Sequence, residues 1–405
     1  MNKRYEIIDK VIEWEIYLYI VFMFITKGEG IRNVLLFSAA LLWLSTVKFR
    51  QNRWILKEPV PLLFWGFIAT ILLSVIFSID PLYSLKSLRE EPLRSVLIFM
   101  LISTTLSDEQ RLKRFLYVSL LIFAIIVSTG FYSFIIMNRA TMYTDTFIRH
   151  ANPNRTAVDL GVLLSFLLVL FLTTGKSALR NLLLLSIITG VLALILTGSR
   201  GGNIAFMSMI SIWAVYLFKK KLVSPEKFIL WGALTVTLFL MVTFFIFPSV
   251  SSKFMKLPAH TANFHRRTEI WKPLLYAAKE RPVFGWGYGS DIFTMDTPFL
   301  NTPYKAPVTI HPGNRNPHNA FFRVLFHQGL VGLISYIALL LAVAGTTWRD
   351  AFNSDGFRSY ILIAVAGILI SFFFINSIVE NSRLTYLSFI LGLCLSARYM
   401  KEADP

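Results

Sequence analysis

A handful of residues in this sequence have the types and spacing needed to move a group away from a charged leaving group. His318 lies in NPHNAFFRVLFHQGLVG, where a polar stretch gives way to an apolar one. An imidazole with an ordinary pKa of about 6.5 can take a proton from a hydroxyl at neutral pH. The same position equally suits a capping or interfacial histidine. Arg200 sits in the tight turn TGSRGG, and Arg266 and Arg267 precede an amphipathic stretch in FHRRTEIW. Singly, each reads as a solvated or snorkelling arginine. Together around one cavity, their planar forks can neutralise a diphosphate with paired hydrogen bonds. In RHANPNRTAVDLG, Asn152 or Asn154 can cap a helix, while Arg149 and Arg155, with Arg139 upstream, can meet phosphate or lipid headgroups.

Several chemistries lack their residues. There is no HExxH and no His–carboxylate ligand set, so no metal site is expected. GWGYG has the wrong spacing for a dinucleotide fingerprint and reads as a turn. No Walker sequence is present, so the driving energy must come from the substrate or a gradient. The single cysteine, Cys394, sits in the last apolar run, which leaves a packing role and no disulfide framework.

The elements that position these residues are membrane spans. The chain has 405 residues, 55% hydrophobic and only 16% charged, with a mean hydropathy of +0.60. Soluble domains carry about a quarter charged residues. Soluble enzymes, secreted disulfide scaffolds and disordered chains are excluded. Apolar runs fall at about 11–26, 31–47, 59–79, 95–106, 115–136, 157–174, 181–197, 203–218, 228–247, 319–348, 358–378 and 384–399. These predict an all-α, polytopic membrane bundle of about twelve transmembrane helices. LYSLKSLREEPLR, before the short fourth run, reads as an interfacial helix.

The net charge of +17 does not point to nucleic acid, because the cations cluster between apolar runs as topology signals do. Clusters such as Lys48/Arg50/Arg53/Lys57, Arg111/Lys113/Arg114 and Lys219/Lys220/Lys221/Lys227 recur after every second run and mark the cytoplasm, with both termini inside. The first run lacks a cleavage site behind it and reads as a signal-anchor. Outer loops carry mainly arginine, and all six histidines lie there or in the span after the largest loop. Chemistry is expected on that face.

The chain therefore divides into helices over 1–247, one large outer loop over 248–318, and helices over 319–405. Within the loop, TEIWKPLLYAAKE has helical spacing of its apolar residues, and the loop reads as a cap over a cavity.

These stretches resemble a family. HNAFFRVLFHQGLVG fits the H-[N/S/Q]-x9-G-x-x-[G/T/Y] pattern of O-antigen ligases, with His318, Asn319, Gly329 and Gly332 in place. LTGSRGG, the R-x-x-x-W of Arg267 to Trp271, the P-x-x-G-x-G of Pro282, Gly285 and Gly287, and Pro153-Asn154 are similar to further stretches of it. The architecture is similar too, GT-C-like with a large late outer loop. The resemblance implies an inverting glycosyltransferase that uses neither metal, cofactor nor ATP. It would move glycan from undecaprenyl diphosphate to a sugar hydroxyl of lipid A–core, on the periplasmic face of the inner membrane, among membrane lipids. By the same resemblance, Arg200 and Arg267 form a diphosphate clamp and His318 is the base. Arg266, Asn319, Arg139, Arg149, Asn154 and Arg155 are the further substrate-binding candidates. The nearest rival is an O-antigen polymerase, with the same donor and a lipid-linked acceptor. A transporter would predict ionisable residues at mid-span and a repeat between halves.

Overall fold

The computed structural model describes residues 3–25, 28–46, 58–139, 141–143, 152–224, 226, 271–272, 274–289, 319–378 and 384–400. The architecture is all-α. Its elements are α1 (Lys3–Ile25), α2 (Glu29–Thr46), α3 (Pro59–Ile76), α4 (Pro81–Ser87), α5 (Pro92–Thr105), α6 (Glu109–Phe131), α7 (Pro153–Thr173), α8 (Ser177–Leu196), α9 (Arg200–Lys219), α10 (Ala320–Asn353), α11 (Gly356–Ile378) and α12 (Leu384–Arg398). Among the described residues, seven helices are long and apolar enough to cross a membrane: α3, α6 with its continuation to Ile136, α7, α8, α9, α10 and most of α11. The apolar run at 228–247 lies outside the described residues. A bundle of this kind follows from the solvent: in hydrocarbon, backbone N–H and C=O groups must be satisfied within the segment.

Sequence punctuation sets the helix boundaries. Proline occupies the first turn of α3, α4, α5 and α7, where its missing N–H costs no intrahelical bond. Asp108 caps α6 by accepting from Gln110 N at 2.9 Å and Arg111 N at 3.2 Å. The expected interfacial helix before α5 is shorter than its sequence suggests: α4 stops at Ser87, and a turn separates it from Pro92. α6 continues into a π-helical turn at Tyr132–Ile136, after which the chain folds back so that Met142 N donates to Leu196 O at 2.9 Å.

α7, α11 and α12 form the interior. Leu160, Leu163, Phe166 and Leu167 of α7, Ile361 to Val365 of α11, and Phe389 to Leu391 of α12 are almost wholly buried. Cys394 is buried among them, as its packing role required.

Two carboxylates in α1, Asp9 and Glu13, have arginine partners. Glu13 is buried and meets Arg114 at 3.1 Å and Arg111 at 3.4 Å, and it accepts from the Tyr17 hydroxyl at 2.7 Å. Asp9 pairs with Arg111. Part of the basic cluster expected to serve topology therefore also holds α6 against α1.

The largest departure from the sequence reading is in α10. The apolar run from 319 was expected to be one unbroken span. The helix is instead interrupted at Gly329, whose φ of 65° and ψ of −162° no helix contains. Residues 320–328 form a half-helix and residues 330–353 the long remainder.

Candidate functional site

The break in α10 frees backbone groups, and residues 282–289 engage them. Trp286 N donates to Phe326 O at 2.9 Å and Gly287 N to His327 O at 3.1 Å. In return, Leu330 N donates to Pro282 O at 2.7 Å and Val331 N to Val283 O at 3.3 Å. The glycines make this close docking sterically possible. A Cβ on Gly285 (φ +71°) would lie 2.5 Å from the backbone of His327 and Phe326, and one on Gly329 would run into the Val283 carbonyl. GWGYG, read from sequence as a turn, is a backbone clamp on a broken helix. The clamp is itself held to the end of α3: Ile79 N donates to Trp286 O at 3.2 Å, Arg281 donates to Phe77 O at 3.1 Å, and Phe77 stacks on Phe284 at 4.4 Å.

The amphipathic stretch of the loop behaves as its spacing predicts. Residues 271–272 and 274–280 are helical, with Leu274, Ala277 and Ala278 buried and Leu275, Tyr276, Lys279 and Glu280 exposed. Leu274 and Ala277 pack with Trp286 and Phe326, whose rings stack at 6.2 Å. Trp271 meets Phe322 edge-on at 5.3 Å. This part of the loop thus covers the outer side of the half-helix.

The inner side of the half-helix faces a cleft. It is lined by Phe67, Ile71, Glu91, Tyr288, Arg323, His327, Gln328, Tyr336 and Leu384, and holds about 500 Å³ of empty space including its open mouth. Glu91 gathers the polar groups. Its carboxylate accepts from Arg323 at 3.2 Å, from the Tyr288 hydroxyl at 3.2 Å and from Leu384 N at 2.5 Å. Burial pushes the Tyr288 phenol well above its ordinary pKa, and the Glu91 charge adds to the rise. The phenol therefore stays a donor over the whole working pH range. His327 is buried with Nδ1 2.7 Å from Gly287 O, and Gln328 accepts from Thr70 at 3.0 Å.

Asn319 caps the half-helix by accepting from Phe322 N at 3.1 Å, and it is buried. His318, the residue before it, lies outside the described residues, as do Arg266, Arg267 and Arg149. Asn152 is the cap of α7, accepting from Arg155 N at 2.8 Å. Asn154, the other capping candidate, accepts instead from the Ser199 hydroxyl at 2.7 Å. Ser199 in turn caps α9, receiving Gly202 N at 3.1 Å, so Arg200 occupies the first turn of that helix beside the start of α7. Arg155 pairs with the fully buried Asp159 at 3.2 Å and lies 5.6 Å from the Tyr386 ring centre. Arg139 is exposed after the π-helical turn.

These contacts join two groups of candidates at one end of the bundle. The Arg200 turn is bonded to α7, Arg155 of α7 reaches Tyr386 of α12, and the first residue of α12 is bonded to Glu91, which holds Arg323 of the half-helix. Sequence reading missed Glu91, Tyr288 and Arg323. A signal for Arg323 was present: Asn319, Arg323 and His327 recur every four residues and so share one helix face.

Fold and site together define a polytopic all-α membrane protein with a polar cleft built around an interrupted helix. The O-antigen ligase family model matches residues 184–337, which run from within α8 past the break in α10. The O-antigen ligase of Salmonella typhimurium is 21% identical over 337 residues, covering 80% of each chain. These matches support placing the chain in the O-antigen ligase superfamily, with a ligase- or polymerase-type, glycosyltransferase-like role.

Proposed function

We propose that the protein is an O-antigen ligase that transfers glycan from undecaprenyl diphosphate to a sugar hydroxyl of lipid A–core on the periplasmic face of the inner membrane. The observation that carries the reading is the joining of the Arg200 turn and the capped half-helix at one end of the bundle, through Asn154, Arg155, Tyr386, Leu384 and Glu91. A lipid-borne donor and an acceptor from the same leaflet both reach that end.

The chemistry needs two functions. As the acceptor oxygen attacks the anomeric carbon from the face opposite the diphosphate, the bond from that carbon to the phosphate oxygen breaks and the configuration inverts. The departing diphosphate gains negative charge, which Arg200 and Arg267 receive as fixed donors requiring little reorganisation. The hydroxyl proton passes to His318, the residue before the Asn319 that caps the half-helix. The positive end of the helix dipole favours the neutral imidazole, the form that accepts a proton. Arg266, Arg149, Arg155, Asn154 and Arg139 are assigned to binding the donor and the headgroups around it.

The test is transfer in vitro by purified protein from lipid-linked glycan to lipid A–core, with a chelator present. The expected result is full transfer to core. Abolition by chelation and restoration by one divalent ion would overturn the metal-independent mechanism. Elongation of lipid-linked glycan with no transfer to core would make the protein a polymerase. His318→Ala is expected to insert normally, bind donor and lose nearly all transfer, with His311→Ala as the control that keeps most of it.

A further inference from the structure

The geometry points to Glu91 as a positioning residue that fixes the half-helix for the transfer step. The inference rests on the proposed function and adds to it a residue that contacts no reacting atom. Glu91 sits immediately before Pro92, at the start of α5. Its two oxygens receive donors from three other elements: Arg323 of the half-helix, Tyr288 at the end of the glycine clamp, and the backbone N–H of Leu384 at the start of α12.

The arrangement matters because of where those donors lie in the chain. Arg323 is one helical turn after Asn319, so holding it sets the rotation and depth of the cap that follows His318. Leu384 is the first residue of α12, so its bond to Glu91 fixes where that helix starts beside the half-helix. A single carboxylate thus ties the half-helix to the start of α12. The break at Gly329 makes such an anchor necessary. The half-helix is only residues 320–328, its helical path is interrupted at Gly329, and the clamp secures its carbonyl end. Glu91 secures its other, working part through Arg323.

Loss of the carboxylate leaves the Arg323 guanidinium without its counter-charge in a cleft walled by Phe67, Ile71 and Leu387, an arrangement that favours displacement of the half-helix. A displacement on the order of 1 Å at a reacting group can cost about a hundredfold in rate. Donor binding, which depends on the Arg200 turn bonded directly to α7 through Asn154, should be spared.

The experiment is to measure, in full-length Glu91→Gln protein, the fraction of molecules that bind undecaprenyl diphosphate and the glycan turnover per binding molecule. The expected result is binding stoichiometry and affinity near wild type, with turnover per binding molecule reduced about tenfold or more. Turnover per binding molecule equal to wild type overturns the inference, as does a loss of turnover that merely follows a loss of binding. If Glu91→Gln does not fold, the double variant Glu91→Gln/Arg323→Gln, which carries no isolated charge, is read the same way; wild-type turnover in it also overturns the inference. His318→Ala separates this from the function itself. Normal turnover in His318→Ala removes the histidine as base, while the Glu91 result stands, because Glu91 also holds residue 384.

Discussion

The two ends of the bundle use charge differently. At the end where α1 begins and α12 finishes, cations close onto carboxylates and helix-end carbonyls. Arg398 meets Asp350 at 2.5 Å and Glu58 at 3.9 Å, Lys220 meets Asp355 and Ser354 O at 2.9 Å each, and Arg111 and Arg114 hold Asp9 and Glu13. These contacts join consecutive and distant helices side by side, and none of their residues lines the cleft around Glu91. At the opposite end, Glu91 and Arg323 also pair, but on the wall of an open cleft, beside a helix broken on purpose by glycine. The lesson is that an ion pair at the first end fixes which helices are neighbours, whereas one at the second fixes where a few working residues stand. Stability should report on the first, turnover on the second.

The largest effect expected from this division is at the arginines. Arg200→Ala and Arg267→Ala should each lose on the order of 2–4 kcal/mol of transition-state stabilisation, roughly a hundredfold or more in rate. Lysine should not restore it, since an ammonium lacks the planar fork. Steady-state transfer assays on well-inserted protein decide the matter: wild-type rates in both Arg→Lys variants remove the clamp.

Next comes the helix break. Gly329→Ala places a Cβ against the Val283 carbonyl at a positive φ, so the glycine clamp and the half-helix must part. Turnover should fall at least about tenfold, and the loss in stability should be on the order of 1–3 kcal/mol. Thermal unfolding and transfer measured on the same sample test this, and unchanged turnover would mean that the break has no part in function.

The matching change at the other end is Asp350→Asn. It leaves Arg398, mostly buried, with a weaker partner, and should cost about 1–3 kcal/mol of stability after allowing for the partial exposure of Asp350. Its KM and turnover per folded molecule should stay at wild type; a changed KM would erase the distinction between the ends. The smallest effect belongs to Glu109→Gln, which breaks a partly exposed pair with Lys113 at 2.6 Å. A shift of no more than about 0.5 kcal/mol is expected, with transfer unaffected.

The proton acceptor should also be visible in pH. With His318 as the base, the rate falls on acidification as the ring protonates. Glu91→Gln should lower the whole profile. A rate independent of pH down to 5 would argue for a different base.

Much of this molecule is written along the chain. The spans follow from runs of apolar residues, because a helix in hydrocarbon must be apolar along its length and needs no distant partner to satisfy its backbone. Prolines in first turns and caps such as Asp108, Asn152 and Asn319 set boundaries through local bonds within three residues, so they too can be read in sequence. The concentration of arginine and histidine in the loops expected to face outward, and the spaced glycines after His318, marked where chemistry would be sought. What lay hidden depends on residues far apart in the chain. Gly329 alone reads as a tolerable glycine in a span; it becomes a break because residues 282–289 exchange hydrogen bonds with the exposed backbone from forty or more positions away. Glu91 alone reads as an interfacial charge in front of Pro92. It becomes an anchor because tertiary folding brings Arg323, Tyr288 and the start of α12 to its two oxygens, and no local pattern records an encounter between residues separated by two to three hundred positions.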